Sequence, residues 1–291
     1  MYKLLLLLVL VLFSHSSFAL GKLGHKVVCQ LAFDQLSLKK QQTVTDLLAL
    51  IPENDRHAIN QYLRAKVSTP ITFAKACTWA DAIKREPEYK QFKTWHYINV
   101  ARNTTQLTDT SCKKNCITQA IAFHRDQLEK AANDNEKAKA LMFLGHWVGD
   151  IHQPFHVSFA SDLGGNRINV TPFKGRCSNI HWYWDECLLY PEPRVKENLT
   201  QYWYSRLSGM LTKANRNLWL TSDTIDWANE SLAIVTDKET GYCQYSNSVC
   251  EKGNITPYVI DKTYHQNQQQ LLATRMAQAS IRLAKIIEQS L

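Results

Sequence analysis

Apolar positions recur at helical spacing along most of the chain, which predicts a largely helical protein. Val27, Val28, Leu31, Ala32 and Leu36 mark a helix between Gly21 and Leu36, entered just after His25. Ser37 is placed to cap a second helix that carries Leu38, Val44, Leu47, Leu48 and Ile51 and stops before Pro52. Residues 52–70 are mixed and end in the loop-like run Lys66-Val-Ser-Thr-Pro70. Further helices are predicted from about Thr72 to Arg85, Ile117 to Ala132, Asn135 to Asp150, Val195 to Leu220, Thr224 to Val235 and Tyr258 to Leu291. Between them, Trp95-His-Tyr-Ile-Asn-Val100 is aromatic and β-branched and reads as a short strand, with His96 and Ile98 on one side and Tyr97 and Asn99 on the other. Asp162-Leu-Gly-Gly-Asn166 reads as a turn before a brief strand over Arg167–Thr171, and 241–257 as a stapled loop. Nothing repeats and no low-complexity linker divides the chain. The expectation is one mostly α domain with short β segments and disulfide-stapled loops.

The chemistry is concentrated between Leu144 and Asp185. His146, Asp150, His152 and His156 fall close together, and His181 and Asp185 follow. On the helix predicted up to Asp150, His146 and Asp150 are i,i+4 neighbours on one face. An imidazole nitrogen and a carboxylate oxygen at that spacing can meet at one metal ion, and zinc accepts both donors. Pro154 then ends the helix, so His156 arrives from a loop. A single histidine on a half-apolar helix is more often a hydrogen-bonded core residue. Two His-x-x-x-Asp spacings with His156 between them favour a metal centre.

Composition adds the compartment. Lys3, the apolar run Leu4–Phe13 and the small residues Ser17 and Ala19 form a secretory leader, too short to span a bilayer, with cleavage expected after Ala19. No other segment is long and apolar enough to cross a membrane, so a secreted or periplasmic product without stable membrane association is expected, a monomer by default. The chain has eight cysteines, an even set that suggests disulfides after a leader and lacks the Cys-x-x-Cys pairs of a cysteine-rich zinc site. Of the many possible pairings, local closure favours Cys112 with Cys116, Cys177 with Cys187 and Cys243 with Cys250, leaving Cys29 with Cys77. Loss of Lys3 with the leader lowers the formal charge from +8 to +7, and a basic exported protein favours anionic partners such as nucleic acid or anionic lipid. The excess is spread along the chain, and a merely soluble surface explains it equally well.

Cleavage would leave Leu20 with a free α-amino group, itself a potential nitrogen ligand beside its own carbonyl, and His25 follows five positions on. His25, Asp81, His96, His146, Asp150, His156, His181 and Asp185 exceed the needs of one four-coordinate ion. The Gly-x-x-Gly-His start, Trp79-Ala-Asp-x-Ile-Lys84, His96-Tyr-Ile-Asn99, the His146–His156 run, Gly164-Gly-Asn166 and Asn179-x-His-x-x-x-Asp185 occur in order. Together they resemble the secreted zinc-dependent single-strand nucleases of the S1/P1 family, which is related to the zinc-dependent phospholipases C.

That resemblance implies a helical domain over 20–291 with three zinc ions in one cleft. Asp81, His96, His146 and Asp150 would hold one ion. Asp150 would bridge to a second, held also by His25 and the Leu20 amino and carbonyl groups. His156, His181 and Asp185 would hold the third, and His152 would stand behind the ligands. The implied activity is hydrolysis of single-stranded RNA and DNA to 5'-phosphate products, together with removal of 3'-phosphates from nucleotides. Lys84 would face the phosphoryl oxygens, while Tyr97, Asn99 and Asn166 would meet the nucleotide. The loop Phe173-Lys-Gly-Arg176 is expected as the opposite wall, with Arg176 stacking through its guanidinium. The chain departs from many members in having Leu20 rather than tryptophan, and in a longer interval between His25 and Asp81, whose Arg56, His57 and Arg64 are expected on the surface. Two rivals remain: a phospholipase C, disfavoured by Asp185 where those enzymes carry glutamate, and a noncatalytic zinc-binding protein, disfavoured by the number of ligands.

Overall fold

The computed structural model describes residues 20–247, 249–253 and 258–291, so the leader expected at 1–19 lies outside the described residues. In chain order the helices are α1 (Gly21–Asp34), α2 (Leu38–Ala49), α3 (Glu53–Tyr62), α4 (Phe73–Ala76), α5 (Trp79–Ile83), α6 (Ile117–Lys130), α7 (Asp134–Ile151), α8 (Ile180–Asp185), α9 (Leu199–Ser208), α10 (Lys213–Trp219), α11 (Thr224–Val235) and α12 (Lys262–Ser290). The strands are β1 (Ile98–Val100), β2 (Val157–Phe159), β3 (Val170–Thr171), β4 (Cys243–Ser246), β5 (Val249–Gly253) and β6 (Tyr258–Val259). The fold is mostly α, as the periodicity predicts, and no helix among the described residues is long and apolar enough to cross a membrane.

Helix α7 has almost no solvent face. Asn133 caps it by accepting from the Glu136 amide, and every residue from Ala140 to Ile151 is buried. A helix apolar all round belongs at the centre of a core, and α7 packs against α1, α2, α5, α6 and α12. Gly149 permits the close approach of α1: a Cβ there would lie 2.6 Å from Nδ1 of His25 and 3.6 Å from the Leu20 side chain. Glycine is therefore a packing requirement at this position.

The small sheets position what surrounds α7. Strands β1 and β2 run parallel, with Ile98 opposite Val157 and Val100 opposite Phe159. This register brings the chain around His96 beside the chain around His156. Strand β3 pairs in parallel with β6, and β4 with β5 in an antiparallel hairpin. All four disulfides join the expected partners, 29–77, 112–116, 177–187 and 243–250. The last staples the β4–β5 hairpin, where a loop is expected from the sequence.

Other differences have local causes. Helix α1 begins at Gly21 rather than after His25, because the glycines that resemble a flexible entry are needed for close contact; Gly24 lies directly under the Leu20 side chain. Ser37 occupies the cap position of α2, but its hydroxyl donates to Glu288 at 2.8 Å instead of capping. The mixed region contains α3, whose polar sequence hides its period. The helix expected over 72–85 breaks at Cys77-Thr78, where the Cys77 carbonyl accepts from His146 and its sulfur is tied to Cys29. The 195–220 prediction divides into α9 and α10 at a turn from which Thr212 caps α10. Tyr258 and Val259 form β6, so α12 starts at Lys262, capped by Asp261.

Behind α7, a buried polar network joins α12 to α11. Glu230 pairs with both Arg275 and Arg282. Arg282 also donates to Nε2 of His152 at 2.8 Å, while Nδ1 of His152 donates to the Val148 carbonyl at 2.7 Å. Burial, with Arg275 and then Arg282 alongside, keeps His152 well below its ordinary pKa, so the ring is neutral and can accept that bond. Removing Glu230 strands two buried guanidiniums, which costs more than removing a partner from a surface pair. Glu230→Ala is expected to destabilise the protein by about 3 kcal/mol, read as a lower urea midpoint, whereas Lys130→Ala, which breaks the exposed pair with Asp126 on α6, leaves the midpoint unchanged.

Candidate metal centre

The carboxylates and imidazoles predicted as ligands arrive from six separate segments. Helix α7 supplies His146 and Asp150, α1 supplies His25, the short α5 supplies Asp81, and α8 supplies His181 and Asp185. Helix α8 is fixed at its start by Asn179, whose side chain accepts from the Trp182 amide at 2.8 Å. His96 precedes β1, and His156 ends the 3-10 turn Pro154–His156 that leads into β2. All eight residues are buried.

Their ligating atoms converge in three groups. Nδ1 of His96 lies 3.0 Å from Oδ2 of Asp150 and 3.1 Å from Nε2 of His146, which is itself 3.2 Å from the same oxygen. Nε2 of His156 lies 3.5 Å from Oδ1 of Asp185, and Nε2 of His181 lies 3.4 Å from Oδ2. His25, Asp81 and His146 also gather, and Nε2 of His25 is 3.2 Å from Oδ1 of Asp150. Bonds of about 2.0–2.1 Å to a tetrahedral zinc place ligand atoms about 3.3 Å apart. The observed separations match that edge.

Hydrogen bonding decides which nitrogens point inward. Nδ1 donates to a backbone carbonyl in three of the histidines: His146 to Cys77 at 2.7 Å, His156 to His96 at 2.6 Å and His181 to Gly164 at 2.6 Å. Each Nε2 lone pair is thereby turned toward the carboxylates. Among the described residues ten buried side-chain polar atoms have no hydrogen-bond partner, and six belong to this cluster: both ring nitrogens of His25, Nε2 of His156 and of His181, Oδ1 of Asp150 and Oδ2 of Asp185. Buried polar atoms are almost always paired, so this concentration fits atoms that bind a metal.

The charges agree. Burial alone would raise the Asp150 carboxyl, yet the imidazoles around it, His146 first, hold it well below the usual carboxylate range. Burial opposes charging His156, but Asp150 and Asp185 push it up to about 9; burial dominates at His96, which falls to about 4. Imidazoles and carboxylates thus offset one another's charge in this buried cluster, a task that divalent cations would take over. Asp81 is held low against its burial, by Lys84 first and then His146 and His96. Lys84 donates to its Oδ1 at 2.9 Å and Tyr62 to its Oδ2 at 3.0 Å.

A cleft of about 850 Å³ opens over His96, His156 and His181. Lys84, Tyr97, Asn99 and Asn166 line it, together with Leu163. Gly164 forms part of the floor, and a Cβ there would lie 2.8 Å from the Phe155 carbonyl and 3.3 Å from Oδ1 of Asn99. Of the loop expected as the opposite wall, Phe173 packs on His265, Lys174 pairs with Glu192 and Arg176 is exposed, and none of the three is among the cleft-lining residues. Leu163, half-exposed with φ of 58°, stands in the cleft instead.

Three contributors escape sequence reasoning. Tyr62 reaches Asp81 from the long interval after His25, where no motif marks it. Gln153 donates to Oδ1 of Asp185 at 2.6 Å, and its place between His152 and Pro154 is the one available signal. Leu163 is concealed inside a turn. Of the residues expected on the surface, Arg56 and His57 line a second cavity of about 840 Å³ next to α2, which shares no lining residue with the histidine cleft. Leu20 is buried against Gly24 and Gly149, one residue from Asp150.

The sequence has relatives. The family model described as S1/P1 Nuclease matches residues 20–291. Endonuclease 4 of Arabidopsis thaliana is 29% identical over 287 residues, covering 91% of this chain and 86% of its own. Endonuclease 2 of the same plant is 27% identical, covering 91% and 88%, and Nuclease S1 of Aspergillus oryzae is 27% identical, covering 72% and 76%. With the match running from Leu20 through the last helix, the chain belongs to the S1/P1 nuclease family.

Proposed function

We propose that this protein is an exported, zinc-dependent nuclease that hydrolyses single-stranded RNA and DNA to products with 5'-phosphates and also removes 3'-phosphates from nucleotides. One observation carries the reading: unpartnered buried atoms of His25, Asp150, His156, His181 and Asp185 gather beside a cleft lined by Lys84, Tyr97 and Asn99. Three zinc ions fit the ligand set, the first with Asp81, His96, His146 and Asp150, the second with Asp150, His25 and the main chain of Leu20, the third with His156, His181 and Asp185. Bound zinc would supply Lewis acidity, activating water near neutral pH and neutralising charge on the departing oxygen. Export is part of the same reading, supported by the leader-like composition of residues 1–19, the disulfides and a family match that begins at Leu20, and a monomer is its default.

The chain's own groups do the rest. Asp150 presents one oxygen to His96 and His146 and the other to His25, the position of a shared carboxylate. Tyr62 and Lys84 hold Asp81 from two sides and keep it ionised. Lys84 also lines the cleft, where its ammonium can meet phosphoryl oxygens. Tyr97 offers an aromatic face to an unpaired base, and Asn99 brings an amide side chain to the same cleft. A base within a duplex cannot be splayed onto such a platform, which accounts for single-strand selectivity.

The decisive assay incubates purified mature protein with single-stranded RNA, single-stranded DNA, a 3'-mononucleotide and phosphatidylcholine, counting metal in the same sample. Cleavage of nucleic acid to 5'-phosphate ends with zinc bound is expected; turnover of phosphatidylcholine alone would sink the reading. Asp150→Asn should lower kcat by roughly a thousandfold or more and reduce the zinc content, because it strips the shared carboxylate of its charge. Tyr97→Ala should mainly raise KM for oligonucleotides, by about tenfold for a stacking contact of about 1–3 kcal/mol. Chelation should lower the thermal midpoint as well as abolish turnover, with zinc restoring both, since an ion that binds only the folded state stabilises it.

A further inference from the structure

One wall of the cleft is a ridge that its ligand set does not explain. Pro87–Thr94 forms a 3-10 helix, in which side chains three residues apart are eclipsed. One row, Tyr89, Phe92 and then Trp95, turns inward: Tyr89 and Phe92 pack on Phe143 of α7, and Phe92 meets Trp95 edge-on. That anchoring fixes the rotation of the helix. The next row, Pro87, Lys90 and Lys93, therefore faces the cleft, and all three line it. Lys90 and Lys93 are exposed, and neither makes an ion pair among the described residues. Arg85 lines the same wall, as does Lys84, which is paired with Asp81.

We propose that this ridge is a phosphate rail: Lys90 and Lys93 engage backbone phosphates of nucleotides neighbouring the scissile one, so that a polynucleotide is held along the cleft and not only at one base. Eclipsed lysines on a 3-10 helix lie about 6 Å apart along its axis, a step that successive phosphates of an extended strand can follow. Tyr97 and Asn99, which line the same cleft, are aromatic and amide and suited to a base, so the cleft offers separate groups to backbone and base. A groove of this kind tolerates any sequence, because every nucleotide brings the same charge. The inference rests on the nuclease reading above and extends it from the reacting bond to the substrate's length.

The test compares wild type with Lys90→Gln/Lys93→Gln, with Lys90→Arg/Lys93→Arg, and with Lys39→Gln/Lys213→Gln, an equal charge change at exposed positions outside the cleft. Binding of a labelled oligothymidylate of about twelve nucleotides, made with cleavage-resistant phosphorothioate linkages, is measured against salt. Turnover of the unmodified oligonucleotide and of a 3'-mononucleotide is followed on the zinc-loaded proteins. For the glutamine pair at the ridge, the slope of log affinity against log salt should become shallower by about 1.4, or about 0.7 for each phosphate of a single strand that is no longer neutralised. The ratio of kcat/KM for oligonucleotide to that for mononucleotide should fall on the order of tenfold, and the arginine pair should keep both. An unchanged slope, or an equal change in the Lys39/Lys213 control, would overturn the rail. Wild-type protein that binds the oligonucleotide with the rail-dependent slope yet cleaves none would instead count against the nuclease reading.

Discussion

The structure depends on how the charge of Asp150 is accommodated. This carboxylate sits on a helix whose last twelve residues are all buried, where an unpaired charge is prohibitively expensive. It survives because imidazoles from α1, from the approach to β1 and from its own helix surround it. Each must be brought within about 3 Å, which explains why α1 crosses α7 over a glycine and why the disulfide between Cys29 and Cys77 ties α1 to the chain entering α5. The parallel pairing of β1 with β2 sets His96 beside His156 by the same logic.

Helix α7 separates two kinds of polar interior. On its α12 side, His152 has a partner for each ring nitrogen, and the arginines are matched by Glu230. His265 is likewise satisfied on both nitrogens, by Tyr183 and the Tyr190 carbonyl. On the cleft side, His156 and His181 are fixed through Nδ1 and left without a partner at Nε2. The residue type is the same; what differs is whether the protein has completed its hydrogen bonds. A completed network rigidifies the core, whereas an incomplete but oriented one is preorganised for a ligand from outside.

The long interval between His25 and Asp81 has a physical role at the centre. It folds into α2 and α3, and Tyr62 at the end of α3 donates to Asp81 while Lys22 lies 4.1 Å above the phenol ring. Asp81 is thus held between Tyr62 and Lys84 on a helix of only five residues, too short to position it alone.

Much of this was legible in the sequence because helices and metal ligands leave periodic traces. The i,i+4 spacing of His146 with Asp150 and of His181 with Asp185 follows from local geometry, and short separations between cysteines made three of the four disulfides the simplest closures. Tertiary structure decided what local spacing cannot encode. Cys77 and Thr78 look helical, but the demands of His146 and Cys29 on Cys77 break the helix there. Arg176 is basic and close in sequence to His181, yet it is exposed and not among the residues lining the cleft, whereas Leu163 is. Tyr62 reaches the centre only through the packing of α3 on α5. Periodicity reports which face of an element is buried; which neighbour it is buried against is set by long-range packing, and the contents of the cleft are decided there.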